Sequence, residues 1–296
     1  MLIDLQIHSN HSDGFYPPKE LIKKLKKDGV KIASLTDHNT ISGLAEFDRA
    51  AKKVGIKTIP GLEIYIKFGK KNLSILWYNF DLKNENLHKL LAYSHHQRRL
   101  SVQRALGKLK KRGFEININK ILAEFNNYIP VNRLALKVME NPFNYKKLVS
   151  GLIKKRGKDR VILPLREEDI LAELFFNRKY GILRESGIDY KKVLKIKKEV
   201  GGQIVFCHPG KHNKFANNTT DELKEVGLID GIEVLSPHHS IGAVMYAQFL
   251  AEKLDLIATG GSDFHLFEGG KNLIQSSSDW LVVDSRKLRR INEIIN

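Results

Sequence analysis

One cysteine, Cys207, stands in a chain of 296 residues. No internal disulfide can form, which fits a reducing, cytoplasmic compartment, and a structural zinc site built on several thiolates is excluded. Apolar runs are short. None approaches the ~20 residues of a membrane span, and Met1-Leu2-Ile3-Asp4 opens without the basic stretch and long apolar segment of a secretory leader. Acidic residues are in deficit, 33 against 50 Lys and Arg, for a formal charge of +17. Residues 98–190 alone hold 21 Lys and Arg against 10 Asp and Glu, and so carry +11 of that excess. Such a segment favours an anionic partner: nucleic acid, nucleotide or phosphorylated metabolite. A lysine bias across the whole chain, seen also at Lys23, Lys24, Lys26 and Lys27, would look the same. Aromatic residues are few, at 8%, yet 42% hydrophobic content suffices for a large core and excludes a disordered chain.

The first third alternates short apolar runs with helical patterns. Leu2 to His8 reads as a strand, and Pro17-Pro18 opens a helix that Gly29 ends. Ile32 to Thr36, Ile56 to Ile66 and Leu73 to Phe80 read as further strands, with a helix over Ile41 to Val54. This rhythm predicts a parallel sheet or barrel. The middle is helical: a long pattern over Leu87 to Arg112, then shorter ones around 120–125, 134–139 and 169–176, broken by Asn141-Pro142. From Tyr190 the alternation resumes. Strands fall at Gln203 to Cys207, Gly231 to Leu235 and Leu256 to Thr259, and Thr219 with Glu222 gives a capping-box spacing. The layout predicts an α/β fold, a barrel over 1–97 and 190–296 interrupted by a mostly helical, basic insertion over 98–189.

Familiar signatures are missing. Phe68-Gly69-Lys70 and Gly260-Gly261 do not form a phosphate-cradling fingerprint. No Ser-His-Asp arrangement and no nucleic-acid-binding module is visible. What is present lies at strand ends. His8 ends the first strand, with Asp13 five residues on; Asp37-His38 ends the second; Glu63 follows Thr58–Leu62; His208 follows Gln203–Cys207; Asp263 and His265 follow the last. In α/β barrels the carboxyl ends of the strands form the active-site face. Scattered surface residues would not gather at five strand ends. Mixed imidazole and carboxylate ligands suit Zn, Mn or Fe rather than Ca or Mg. More than four ligands imply more than one ion, with Glu63 as a bridge, and clustered ions serve phosphoester hydrolysis.

These stretches resemble the PHP (polymerase and histidinol phosphatase) family of metal-dependent phosphoesterases. The matching motifs are Asp4-Leu5-Gln6-Ile7-His8-Ser9 with Ser12-Asp13-Gly14, Leu35-Thr36-Asp37-His38-Asn39-Thr40 and Pro60-Gly61-Leu62-Glu63-Ile64. Cys207-His208-Pro209-Gly210, Asp230-Gly231-Ile232-Glu233-Val234 and Thr259-Gly260-Gly261-Ser262-Asp263-Phe264-His265 complete them. Length and insertion look most like the branch that hydrolyses nucleotide 3′-phosphates, including nucleoside 3′,5′-bisphosphates, and degrades short RNA from its 5′ end. The resemblance implies a distorted (β/α)7-type barrel and two or three divalent ions of Mn, Fe or Zn. His8, Glu63 and Asp263 would serve the first, Asp13, His38 and His265 the second, and Glu63 with His208 the third. A metal-activated hydroxide would attack phosphorus, and Asp263 and His208 would be the catalytic pair.

The chain departs from the family pattern at Gln6 and at Ser74, where the family places histidine. An amide oxygen is a poorer ligand than imidazole, and serine poorer still, so fewer ions would also fit. Two alternatives therefore stand beside the nucleotide phosphoesterase: a small-molecule phosphatase of histidinol-phosphatase type, and a non-catalytic nucleotide- or RNA-binding protein with a degenerate site. For substrate, only Arg133 of Asn132-Arg133-Leu134-Ala135 carries over from the family, as a phosphate-gripping guanidinium. Arg98, Arg99 and Arg104 are weaker candidates. His95-His96 on a helix point about 100° apart, which argues against a paired role. His238-His239 follows a strand in a loop and fits better, His11 is left out, and Cys207 reads as core. No membrane attachment is expected, and the sequence identifies no protein partner.

Overall fold

A computed structural model describes residues 1–126, 128–176, 183, 187–211, 218–265, 281 and 283–296. They divide into two compact units, 1–91 with 187–296, and 92–186, where the sequence reading drew the limits at 98 and 189. In chain order the elements are β1 (Leu2–Ile7), α1 (Pro18–Lys27), β2 (Ile32–Leu35), α2 (Leu44–Val54), β3 (Lys57–Thr58), β4 (Gly61–Phe68) and β5 (Lys71–Tyr78). There follow α3 (Glu85–Lys111), α4 (Ile118–Ala123), α5 (Val131–Met139), α6 (Pro142–Arg156) and α7 (Glu167–Leu174). The chain continues with β6 (Ile188–Asp189), α8 (Tyr190–Val200), β7 (Gln203–Phe206), α9 (Thr219–Glu225), β8 (Gly231–Leu235), α10 (Ile241–Lys253), β9 (Ile257–Gly260), β10 (Val283–Asp284) and α11 (Asn292–Ile295).

The first unit has the α/β character expected, in two sheets of order β10-β1-β2-β3 and β6-β4-β5-β7-β8-β9. Isolated bridges Ile7–Phe264 and His38–Glu63 connect strand ends of one sheet to the other. The strand β1 shows how the interior becomes polar. Side chains alternate across a strand, so Ile3, Leu5 and Ile7 share one face and Asp4, Gln6 and His8 the other, and all six are buried. The apolar set joins the main core, where truncating Leu5 to Ala would cost about 2–5 kcal/mol. The polar set must find partners inside, because a buried polar group without one is costly.

Three details differ from the sequence reading. The sheet is not parallel throughout: β4 pairs antiparallel with β5, and β5 with β7. The cause is the two-residue turn Gly69-Lys70 between Phe68 and Lys71, where Gly69 takes φ +58°, a conformation glycine adopts without cost. Second, Asn141-Pro142 does separate two helices, α5 and α6, but it also opens α6, a helix the sequence pattern does not place. Asn141 Oδ1 accepts from the Phe143 amide at 2.9 Å, and proline fits the first helical turn, where no amide donor is needed. Third, no capping box forms at Thr219, because the cap position is Asn218. Thr219 Oγ1 and Glu222 Oε2 instead both accept from Lys71 Nζ at 2.9 Å.

The second unit is helical, with a separate core around Val102, Leu106, Phe114, Leu134, Val138 and Leu174. Among the described residues no helix is long and apolar enough to cross a membrane.

Candidate metal centre

Short backbone bonds bring the strand ends of the first unit together. The His8 amide donates to Phe264 O at 3.0 Å and the Asp263 amide to Gln6 O at 2.9 Å, while the Asn39 amide donates to Glu63 O at 2.7 Å. Three further buried carboxylates fix the loops. Asp37 accepts from the Ser9 amide at 2.7 Å and from the Ser9 and Ser12 hydroxyls at 2.6 Å. Asp4 accepts from the Ser262 amide and hydroxyl at 2.8 and 2.6 Å, and Glu233 from the His208 amide at 2.7 Å. Gly261 is required: a Cβ there would collide with the Gln6 backbone. His208 and Asp263 hold positive φ, +27° and +48°, at a cost of about 1–3 kcal/mol each that the surrounding bonds must offset.

On this frame the side chains converge. His8 Nε2 lies 3.2 Å from both Glu63 Oε2 and Asp263 Oδ1, and His8 Nδ1 lies 3.6 Å from Asp13 Oδ1. Asp13 also meets His38 Nε2 and His265 Nε2, each at 3.3 Å. Glu63 Oε1 stands 3.7 Å from His38 Nδ1 and 3.6 Å from His208 Nε2. Three groupings offer ligand atoms within 4.8 Å of one another: His8, Asp13, His38 and His265; His8, Glu63 and Asp263; Glu63, Cys207 and His208. The structure therefore brings together His8, Asp13, His38, Glu63, His208, Asp263 and His265.

Electrostatics follow from packing carboxylates and imidazoles without water. Burial would push His8 down, but the Asp263 and Glu63 carboxylates against it, with Asp13 nearby, hold its pKa well above the ordinary value. Burial likewise opposes a charge on His265, and Asp13 reverses it, raising the pKa. Burial would raise the acids; instead the imidazoles, His38 above all for Asp13 and Glu63 and His265 for Asp263, hold all three well below the usual carboxylate range. His208 differs. Burial outweighs its neighbour Glu63 and lowers it to about 4, so it is neutral at pH 7. Burial raises Glu233 well above the usual range and Asp4 to about 6.

The donor set fits divalent ions. Among the described residues His8 Nε2 and Nδ1, Glu63 Oε1, Asp263 Oδ1 and His208 Nδ1 are buried without an aligned hydrogen-bond partner, although buried polar atoms are nearly always bonded. These are the nitrogens and carboxylate oxygens that Zn, Mn or Fe take.

Other candidates fall elsewhere. Arg133 is half-buried on α5 of the second unit, and Arg98 of that unit is buried, its Nε donating to Ile129 O at 2.9 Å. Arg99 donates to Phe125 O and Arg104 to Ser101 Oγ. His11 bonds Ser42, and His239 is held between the Gly210 amide and Val234 O. His238 does reach the cluster: its Nε2 is 2.6 Å from Asp263 Oδ2 and 3.3 Å from Lys211 Nζ. Ser74 is buried on β5, facing Tyr65 across the ladder, and its carbonyl accepts from the Cys207 amide. Tyr65, missed in the sequence, places its hydroxyl 3.0 Å from His38 Nε2. Its position two residues past Glu63, hence on the same strand face, was the available signal.

Comparison with known proteins agrees with this geometry. The PHP domain model matches residues 4–163. A 5′-3′ exoribonuclease of Haemophilus influenzae is 27% identical over 91% of this chain and 93% of its own length. A 3′,5′-nucleoside bisphosphate phosphatase of Chromobacterium violaceum is 26% identical, over 92% and 90%. A phosphoribosyl 1,2-cyclic phosphate 1,2-diphosphodiesterase of Eggerthella lenta is 24% identical, over 90% and 94%. In fold the chain matches a structure from Bifidobacterium adolescentis described as a metal-dependent phosphoesterase, with TM-score 0.75 and 21% identity over 99% of this chain and 94% of that one. With the matched model spanning more than half its length, the chain belongs to the PHP domain family and is a metal-dependent phosphoester hydrolase.

Proposed function

We propose that the chain hydrolyses phosphate esters of nucleotides, nucleoside 3′,5′-bisphosphates among them, or of short RNA. The convergence of His8, Asp13, His38, Glu63, His208, Asp263 and His265 carries this reading. The relatives named for RNA, for nucleoside bisphosphates and for a cyclic ribose phosphate support it, as does the +11 of residues 98–190. His8, Glu63 and Asp263 would hold one ion, Asp13, His38 and His265 a second, and Glu63 with His208 a third. Bound divalent ions of the Mn, Fe or Zn kind supply an activated water and the charge that phosphoester hydrolysis requires.

The chain's own groups do the rest. Asp263 and His238, 2.6 Å apart, share a hydrogen between Oδ2 and Nε2 and can move a proton there. His208, neutral at pH 7, keeps the lone pair of one ring nitrogen available, and Glu233 fixes its backbone. Lys211, beside His238, presents a cation to a substrate phosphate. Arg133 would grip a phosphate through its guanidinium.

The test is phosphate release by metal-loaded protein from 3′-phosphorylated nucleotides, alongside degradation of short RNA. Turnover of either supports the proposal. Preference for small phosphomonoesters without nucleotide inhibition would favour the small-molecule phosphatase. Tight nucleotide binding without turnover would favour a degenerate, non-catalytic site through Gln6 and Ser74.

A further inference from the structure

Cys207 is wholly buried one residue past β7, as a core position would be. It belongs to the hydrophobic core, yet its sulfur also has polar neighbours. The Gln6 amide nitrogen lies 3.2 Å from Cys207 Sγ and 3.2 Å from Glu63 Oε2, so sulfur and carboxylate converge on one group. Glu63, Cys207 and His208 offer an oxygen, a sulfur and a ring nitrogen within 4.8 Å of one another, all from buried residues. Beside them Gln6 Oε1 and Glu63 Oε1 are buried without a hydrogen-bond partner among the described residues, and His208 turns its Nε2 to Glu63 Oε1 at 3.6 Å. Orphaned polar atoms are rare in a folded interior. Two side by side mark a position built for something other than packing.

We propose that Cys207 coordinates a divalent ion together with Glu63 and His208. The inference rests on the metal-dependent reading and adds to it a ligand and a selectivity. Sulfur is a soft ligand, which favours Zn or Fe(II) over Mg, Ca or Mn. The pocket formed by His8, Asp13, His38 and His265 has no sulfur, so its imidazoles and carboxylate accept Mn as readily as Zn or Fe. Gln6 belongs to the same device: its amide N–H groups donate to both sulfur and carboxylate and hold the two aligned.

Cobalt(II) is the probe. The full chain is stripped with chelator, reloaded with cobalt in thiol-free buffer and measured for cobalt content and absorption. The expected result is a near-ultraviolet sulfur-to-cobalt charge-transfer band that disappears in Cys207→Ser, with zinc affinity in that variant lowered at least about tenfold. The chain has one cysteine, so the wild-type spectrum decides the matter even if the variant fails to fold. Bound cobalt without the band overturns ligation by Cys207 and leaves the metal-dependent reading intact. No bound cobalt overturns both.

Discussion

The Asp13 pocket and the Glu63 pocket share the His8 neighbourhood yet are built differently. Asp13 and His265 are 23% and 27% exposed, whereas Glu63 and His208 are 1% and 6% exposed. One carboxylate meets three imidazoles in the first; a carboxylate, an imidazole and a sulfur gather in the second. A pocket open to solvent can exchange its ion and meet a substrate directly. A sealed one gains from every electrostatic contact, because low dielectric strengthens the attraction between ligand and ion. On the function proposed above, the buried side would retain its ion and the open side would meet the substrate.

The strongest way to break this comparison is Glu63→Gln, since Glu63 faces His8, His38 and His208 at 3.2–3.7 Å. We expect loss of at least one metal equivalent by elemental analysis. Phosphate release should fall by more than the ~100-fold that loss of a group behind a ligand can cost. Unchanged metal content would show that the pockets do not share this carboxylate. Next, Asp13→Asn should unload the open pocket alone, with turnover falling about 100-fold or more while cobalt keeps its charge-transfer band. Loss of that band would mean the pockets act as one.

The strand-end rule made much of this legible. His8, Asp13, His38, Glu63, His208, Asp263 and His265 are metal-binding residue types at or just past the ends of apolar strand runs, so local sequence was enough to nominate them. The core position of Cys207 was legible and holds, whereas Tyr65, the reach of His238 to Asp263 and the ligand role proposed for Cys207 were not. That proposed role depends on Glu63 and Gln6, on strands far away in sequence. That neighbourhood depends on the β4–β5 reversal at Gly69-Lys70, which a parallel reading misses. His238 sits in a loop whose reach to Asp263 no periodicity encodes. The helix α6 was hidden because Asn141-Pro142 signals a break and a start equally well.

A smaller effect sharpens the role of the outer groups. His238→Gln should lower kcat about 10–100-fold while leaving metal content intact, because His238 orients Asp263. Loss of metal instead would make it a ligand. The smallest effect is a proton count. In metal-free protein the raised pKa values of His8 and His265 add stability below their ordinary value of 6.5, and this is lost as pH rises through the folded values. Metal uptake at pH 7 should therefore release protons from these two and from the Cys207 thiol where it ligates, and none from His208, which is already neutral with a pKa of about 4. A weakly buffered titration with a pH indicator reads the release directly, and none at pH 7 would contradict the electrostatics described.

The most direct test of the central claim is phosphate release from a nucleoside 3′,5′-bisphosphate by metal-loaded, chelated and Glu63→Gln protein side by side. The account predicts turnover in the first and its loss in the other two. Equal release by all three, or turnover of neither this substrate nor short RNA by the fully loaded protein, would contradict it.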